Sequence, residues 1–284
     1  MTYRECYVQG QELLTCAGIE EAALDARLLL EHVCGTNRND LLVHGDREVT
    51  PKQQETYQEL VQKRAGRIPL QHITGVQEFM GLEFAVSDKV LIPRQDTEIL
   101  VEEVLRELQS GMRVLDVCTG SGCILLSILH YSNDCTGVGV DISPEALAVA
   151  GRNAETLLRE RELEYTFLEG DLFAPVEGKF DIIVSNPPYI ATAVIETLEP
   201  EVRDHEPMLA LDGKEDGLFF YRRLAAECGA YLNRGGRLYL EIGYDQGQAV
   251  KEMLTAAGFA EVQVVQDYAG LDRVVHGIYF GMNN

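Results

Sequence analysis

Asn186, Pro187, Pro188 and Tyr189 follow directly on an apolar run, Phe180–Val184. A strand ending in such a loop can present hydrogen-bond acceptors from a fixed backbone, because proline locks φ and adds no competing N–H. The side-chain oxygen of Asn186 and the carbonyl of Pro187 are two such acceptors. Together they can hold both N–H hydrogens of a planar amide or amino group. That is useful chemistry: an amide nitrogen is a poor nucleophile, and gripping its hydrogens turns its out-of-plane lone pair to one side. Tyr189 offers a flat face on which the planar group can stack. Taken alone, Asn-Pro-Pro is also a common chain breaker.

A second group lies upstream. Asp116-Val117-Cys118-Thr119-Gly120-Ser121-Gly122 joins a short apolar strand to a helix. Glycines there let the backbone approach a ligand. A dinucleotide fingerprint would require a third glycine at Leu125, which weakens a nicotinamide or flavin reading. Asp141, with Ile142 after it, ends the next strand, where a carboxylate can accept both hydroxyls of a ribose. Asp171, with Leu172 after it, ends the third, where it can accept from an adenine amino group. Three acids at the carboxyl ends of successive strands suit a nucleoside cofactor carrying a positive charge, such as a sulfonium. The candidate cofactor contacts are Cys118, Thr119, Gly120, Ser121, Gly122, Asp141, Ile142, Asp171, Leu172 and Asn186. Those for chemistry are Asn186, Pro187 and Tyr189, with Pro188 added for substrate binding. His205 is the histidine nearest this constellation, and Cys118 and Cys123 read as small packing residues.

The elements that must position these residues alternate. From Arg113 onward, strands are expected at 114–117, 136–140, 165–168, 180–184, 236–242, 261–265 and 273–280, with helices between most of them. Ser143-Pro144-Glu145 gives a helix start, a cap followed by proline in the first turn. Such βα alternation predicts a parallel sheet covered on both faces. The first 65 residues instead read as helical. Ala22, Ala23, Ala26, Leu29, Leu30 and Val33 mark one amphipathic face that stops at Gly35, and Pro51 opens another helix towards Gly66. Residues 79–86 read as a hairpin, and Asp96 as the N-cap of a helix reaching Leu108.

Composition narrows the function classes. The 284 residues carry a formal charge of −22, from 46 acids and 24 bases. A phosphate backbone would be repelled, so direct nucleic-acid binding is not expected and a protein substrate is. No apolar run is long enough to span a membrane. The seven cysteines include no Cys-x-x-Cys pair and the six histidines are scattered. Reduced thiols, a cytoplasmic setting and no metal are the expectation.

Taken together, these segments resemble the HemK-type protein-(glutamine-N5) methyltransferases, the release factor-specific enzymes that modify peptide chain release factors. The resemblance runs through Pro69–Gly75, Leu91–Glu98, Asp116–Gly122, Asn186–Tyr189, His205–Pro207 with Leu209–Leu211, Leu240–Gly243 and Ala269–Arg273. It implies an α/β fold: a seven-stranded Rossmann-like class I S-adenosylmethionine-dependent methyltransferase domain with its last strand antiparallel. It further implies a helical substrate-recognition domain over 1–75, a hairpin linker over 76–95 and the catalytic domain over 96–284. The implied cofactor is S-adenosyl-L-methionine, leaving as S-adenosyl-L-homocysteine. The implied substrate is the glutamine of a Gly-Gly-Gln loop, and a monomer is expected. Cys118 replaces a frequent glycine, Leu172 an aromatic found in some relatives, and Gln95 a common proline. Asn-Pro-Pro-Tyr is shared with adenine-N6 and some guanine-N2 methyltransferases. Nucleic-acid amino methylation, a ribosomal-protein glutamine and a non-catalytic cofactor-binding protein are therefore the alternatives.

Overall fold

A computed structural model describes residues 1–161 and 163–281; Glu162 and the last three residues of the expected 96–284 range lie outside the described residues. The chain forms two compact units, Met1–Val76 with Glu199–His205, and Gln77–Leu198 with Glu206 to the end.

The first unit contains α1 (Tyr3–Cys16), α2 (Ala22–Cys34), α3 (Arg38–Val43), α4 (Pro51–Ala65) and α5 (Leu70–Thr74). Thr2 and Thr50 each close a reciprocal capping box, with Glu5 and Gln53, which satisfies orphan N–H groups at both helix starts. Gly35 ends α2 in the left-handed conformation, as its place in the sequence predicts. The apolar face of α2 buries Ala26, Leu29 and Leu30 against Leu14, Tyr57 and Val61. Arg64 is buried between Asp25, at 2.7 Å, and Glu201, at 3.0 Å.

The hairpin β1 (Val76–Phe79) and β2 (Leu82–Ala85), all but Val76 in the second unit, precedes α6 (Glu98–Glu107). Then follow β3 (Arg113–Val117), α7 (Cys123–Tyr131), β4 (Thr136–Asp141), α8 (Pro144–Leu157), β5 (Tyr165–Glu169) and β6 (Phe180–Ser185). Three short helices come next, α9 (Thr192–Ile195), α10 (Pro200–Arg203) and α11 (Met208–Leu211), of which α10 belongs to the first unit. The chain closes with α12 (Phe219–Glu227), β7 (Leu232–Glu241), α13 (Gly247–Ala256), β8 (Phe259–Gln266) and β9 (Asp272–Tyr279).

The sheet order is β5-β4-β3-β6-β7-β9-β8. Strands β3 to β7 pair in parallel, and β9 is antiparallel to both its neighbours. This is the seven-stranded α/β fold expected, with one apolar core on each face of the sheet. The carboxyl ends of β3, β4, β5 and β6 therefore lie along one edge, at the point where the strand order reverses between β3 and β6. Open α/β sheets bind ligands there.

One expected helix start is different. Asp96 is not the cap of α6: a 3-10 turn, Gln95–Thr97, precedes the helix, and no side chain caps it. The Asp96 carboxylate instead pairs with Arg273 at 3.1 Å. Ser143 does cap α8, accepting from the Ala146 N–H.

Candidate active site

The loop after β3 is shaped by its acids. Asp116 is fully buried and accepts from the Thr119 hydroxyl at 2.6 Å, while its other oxygen has no partner. Burial pushes its carboxyl up to about 7. Asp141, at the end of β4, receives the Gly120 N–H at 2.8 Å and the Ser143 N–H at 3.0 Å, one on each oxygen. It therefore pins the loop and the start of α8 together, and each oxygen keeps a lone pair for a further donor.

The two glycines of the loop do different work. Gly120 has φ +55, and a side chain there would meet nothing within 4 Å, so its open face belongs to the cavity. Gly122 has φ +79, and a Cβ there would press on Leu126 and Ala150 at 3.0 and 3.2 Å. It lets α7 approach α8 and is not among the cavity's lining residues. Cys118 stands at φ +63 and Leu172 at φ +51. Both are left-handed positions that strain a residue bearing a Cβ.

A single cavity gathers most of the candidates. Cys118, Thr119, Gly120, Ser121, Asp141, Ile142, Asp171, Leu172, Asn186 and Pro188 line it. Ile142 is exposed, presenting a large apolar side chain beside the acid. Asp171 meets Arg223 at 2.8 and 2.9 Å, so its carboxylate is shared between that arginine and the cavity. Pro187 and Tyr189 are not among the lining residues. The Tyr189 ring packs partly into the core, and burial pushes its hydroxyl up. The Tyr189 carbonyl is anchored by Gln246 at 3.0 Å. His205 does not line the cavity either.

Among the described residues, no group donates to the Asn186 side-chain oxygen or to the Pro187 carbonyl. The Asn186 Nδ2, by contrast, faces the Thr97 hydroxyl at 3.4 Å. The loop thus keeps two acceptors unused beside a cavity flanked by acids.

Several lining residues carry no periodic signal in the sequence. Lys89–Leu91, Pro93, Arg94 and Thr97 come from the stretch after the hairpin, and Pro207, Leu209 and Ala210 from around α11. An ion pair joins the two stretches, from Arg94 to the buried Glu206 at 2.5 Å. Their only sequence signal is the Leu91–Glu98 and His205–Leu211 resemblance.

Residues 5–75 match the family model of the PrmC N-terminal domain, and residues 94–201 that of the methyltransferase small domain. A release factor glutamine methyltransferase from Geobacter sulfurreducens is 46% identical over 261 residues, covering 92% of this chain and 90% of that one. One from Caulobacter vibrioides is 43% identical over 281 residues, covering 98% and 96%. Among solved structures, a methyltransferase from Pyrococcus furiosus superimposes with a TM-score of 0.55 at 22% identity. It covers 78% of this chain and 99% of that one, a likeness of fold. On full-length identity at this level, the chain belongs to the release factor glutamine methyltransferase family.

Proposed function

We propose that this chain transfers a methyl group from S-adenosylmethionine to the side-chain amide nitrogen, N5, of the glutamine in the Gly-Gly-Gln motif of peptide chain release factors. The observation that carries this reading is the pair of unused acceptors, Asn186 Oδ1 and the Pro187 carbonyl, next to the acid-flanked cavity.

The residues fit the cofactor. The open face of Gly120 admits a ligand that a Cβ would obstruct. Asp141 has acceptor capacity for two ribose hydroxyls, and the exposed Ile142 can cover one face of a base. Asp171 and the Leu172 backbone, which line the cavity, are proposed to read the base edge. When bound, S-adenosylmethionine supplies a methyl group on a cationic sulfur and leaves as S-adenosylhomocysteine.

The chain's own part is positioning. Asn186 and Pro187 take the two amide hydrogens, so the nitrogen cannot rotate its lone pair away. Holding reactants in an attack geometry accounts for a large share of many enzymatic rates. The methylated amide is strongly acidic while it is cationic, so no residue needs to act as a dedicated base. Pro188 and Tyr189 keep the loop stiff, the Tyr189 ring by packing partly into the core.

Residues 1–75 are proposed to recognise the protein substrate, residues 76–95 to link and 96–284 to catalyse. A protein substrate needs a contact surface larger than one cavity. Removing the helical residues is expected to leave cofactor affinity unchanged and to abolish methylation of a folded release factor.

The direct test is mass spectrometry of purified release factor after incubation with the protein and S-adenosylmethionine. One added methyl on the Gly-Gly-Gln peptide is expected. Methylation of RNA or of a ribosomal protein in its place would redirect the assignment.

A further inference from the structure

Glu241 ends the strand beside the Asn186 loop. β6 and β7 run parallel with Ser185 opposite Leu240, so the next residue on each, Asn186 and Glu241, emerge side by side. Glu241 is 1% exposed. Thr97 and Asn186 lie beside its carboxyl and favour its ionised form, and its Oε2 has no partner. A buried acid that is only partly satisfied is costly to keep, and nothing in the grip of Asn186 and Pro187 on the substrate uses it directly.

We propose that Glu241 is a positioning residue that decides which end of the Asn186 amide faces the cavity. The proposal rests on Asn186 being the acceptor for the substrate amide.

The two ends of an asparagine amide have nearly the same shape, so packing alone does not choose between them. Hydrogen-bond polarity does. An ionised carboxylate only accepts. Thr97 has one hydroxyl proton, which the ionised carboxylate of Glu241 attracts, and its oxygen accepts from Asn186 Nδ2, at 3.4 Å. Both neighbours therefore demand the N–H end of Asn186. Oδ1 is left for the cavity, where the substrate brings two N–H groups. If the amide turned over, its oxygen would face a carboxylate and its N–H groups would face the substrate's own. Donor would meet donor and the grip would be lost.

The arrangement also senses protonation. The charged and titratable groups around Glu241 are Arg273, Asp96, Tyr189, Tyr221 and Cys123. Arg273 holds the carboxyl down, but burial outweighs it and pushes Glu241 up to about 7. Protonated Glu241 becomes a donor and can donate to Oδ1 of Asn186, which turns the wrong end of the amide towards it. Turnover should then fall as pH drops through about 7.

Glu241→Gln tests this, because a carboxamide of the same shape welcomes either end of Asn186 and does not titrate. Turnover and KM on a release factor are measured from about pH 5.5 to about pH 8.5, with S-adenosylhomocysteine affinity by calorimetry. The expected result is a kcat lower by about tenfold or more, a fraction of what losing a whole preorganised group costs. Cofactor affinity should be unchanged and the acid limb gone. Wild-type kcat, or an acid limb that persists, overturns the proposal. If the variant does not fold, the side-chain amide NMR signals of Asn186 in the wild-type protein decide, assigned by their loss in Asn186→Asp. A titration near neutral pH supports the proposal, and flat shifts overturn it. Should Asn186→Ala be inactive while Glu241→Gln is normal, this inference alone fails. Should Asn186→Ala stay active, the acceptor role itself fails.

Discussion

Cys118 carries a strain that its side chain imposes on the glycine-containing loop after β3. At φ +63 a residue with a Cβ costs about 1–2 kcal/mol relative to its usual conformations. Comparing Cys118→Gly with Cys118→Ala isolates that term, since both lose the same sulfur. The glycine variant is expected to be the more stable by about 1 kcal/mol in urea; equal stabilities would mean that the loop relaxes. Asp141 holds its own loop through Gly120 and Ser143, and it is the residue proposed to take the ribose hydroxyls. Asp141→Ala should weaken S-adenosylhomocysteine binding by about 1.5–3 kcal/mol, the range for hydrogen bonds to a charged acceptor. Calorimetry showing unchanged affinity would remove Asp141 from the site. Asn186→Ala should spare cofactor binding and cut turnover by about 10²–10³, by analogy with the loss of one preorganised oxyanion-hole donor. Near-normal kcat on a Gly-Gly-Gln substrate would reduce the loop to a rigid turn.

Among the elements, α8 is tied to two others by a single buried side chain. Asn153 accepts from the Ala85 N–H and donates to the Ala85 carbonyl, as a neighbouring strand would, and also donates to the Ser121 carbonyl. One amide thus fixes β2 and the loop after β3 to the same helix. Asn153→Ala leaves these groups without their partner, so a loss of about 1–3 kcal/mol is expected, with weaker cofactor binding; a variant as stable as wild type would show that water replaces the amide. The βα succession itself was legible, because buried parallel strands such as Val114–Val117 and Ile182–Val184 are apolar runs ended by polar residues. The acids at strand ends were legible for the same reason. The Asp96 cap was misread because its carboxylate answers to Arg273, which is distant in sequence. The expected start of β7 at Gly236 fell inside the strand, which begins at Leu232 and is irregularly paired with β6. Lys89–Arg94 and Pro207–Ala210 had no period to read, since loops that line a cavity obey the cavity and not a repeat. Packing likewise hid the role of Gly122, whose partner Ala150 lies on another helix.

Across the whole molecule, a few of the 46 acids are shifted in ionisation, and they fall into two groups with opposite effects on stability. Glu201, Asp212, Asp216 and Asp267 are held below the ordinary carboxylate range, Asp212 and Asp216 at about 2. Lysine, arginine and backbone partners favour their charged form. Such groups contribute stability that is present above their unfolded pKa, near 4, and is lost as pH falls towards about 2. Asp116 and Glu241 are the reverse, buried and pushed up to about 7. Between about pH 4 and pH 7 the unfolded chain has released these two protons while the folded chain still holds them. The unfolded state then binds fewer protons, so stability declines as pH rises through that window. Self-repulsion from a formal charge of −22 grows in the same direction. The ligand-free protein should therefore be most stable on the mildly acidic side, at about pH 5, and lose melting temperature towards pH 7. Asp116→Asn combined with Glu241→Gln should flatten that decline, because neither replacement titrates. Thermal unfolding scans from about pH 3 to about pH 9 test it. A wild-type melting temperature that climbs between pH 5 and pH 7, or a double variant with an unchanged slope, would mean that these two carboxyls are ionised in the folded chain. The protein would then be holding two buried charges beside the candidate site.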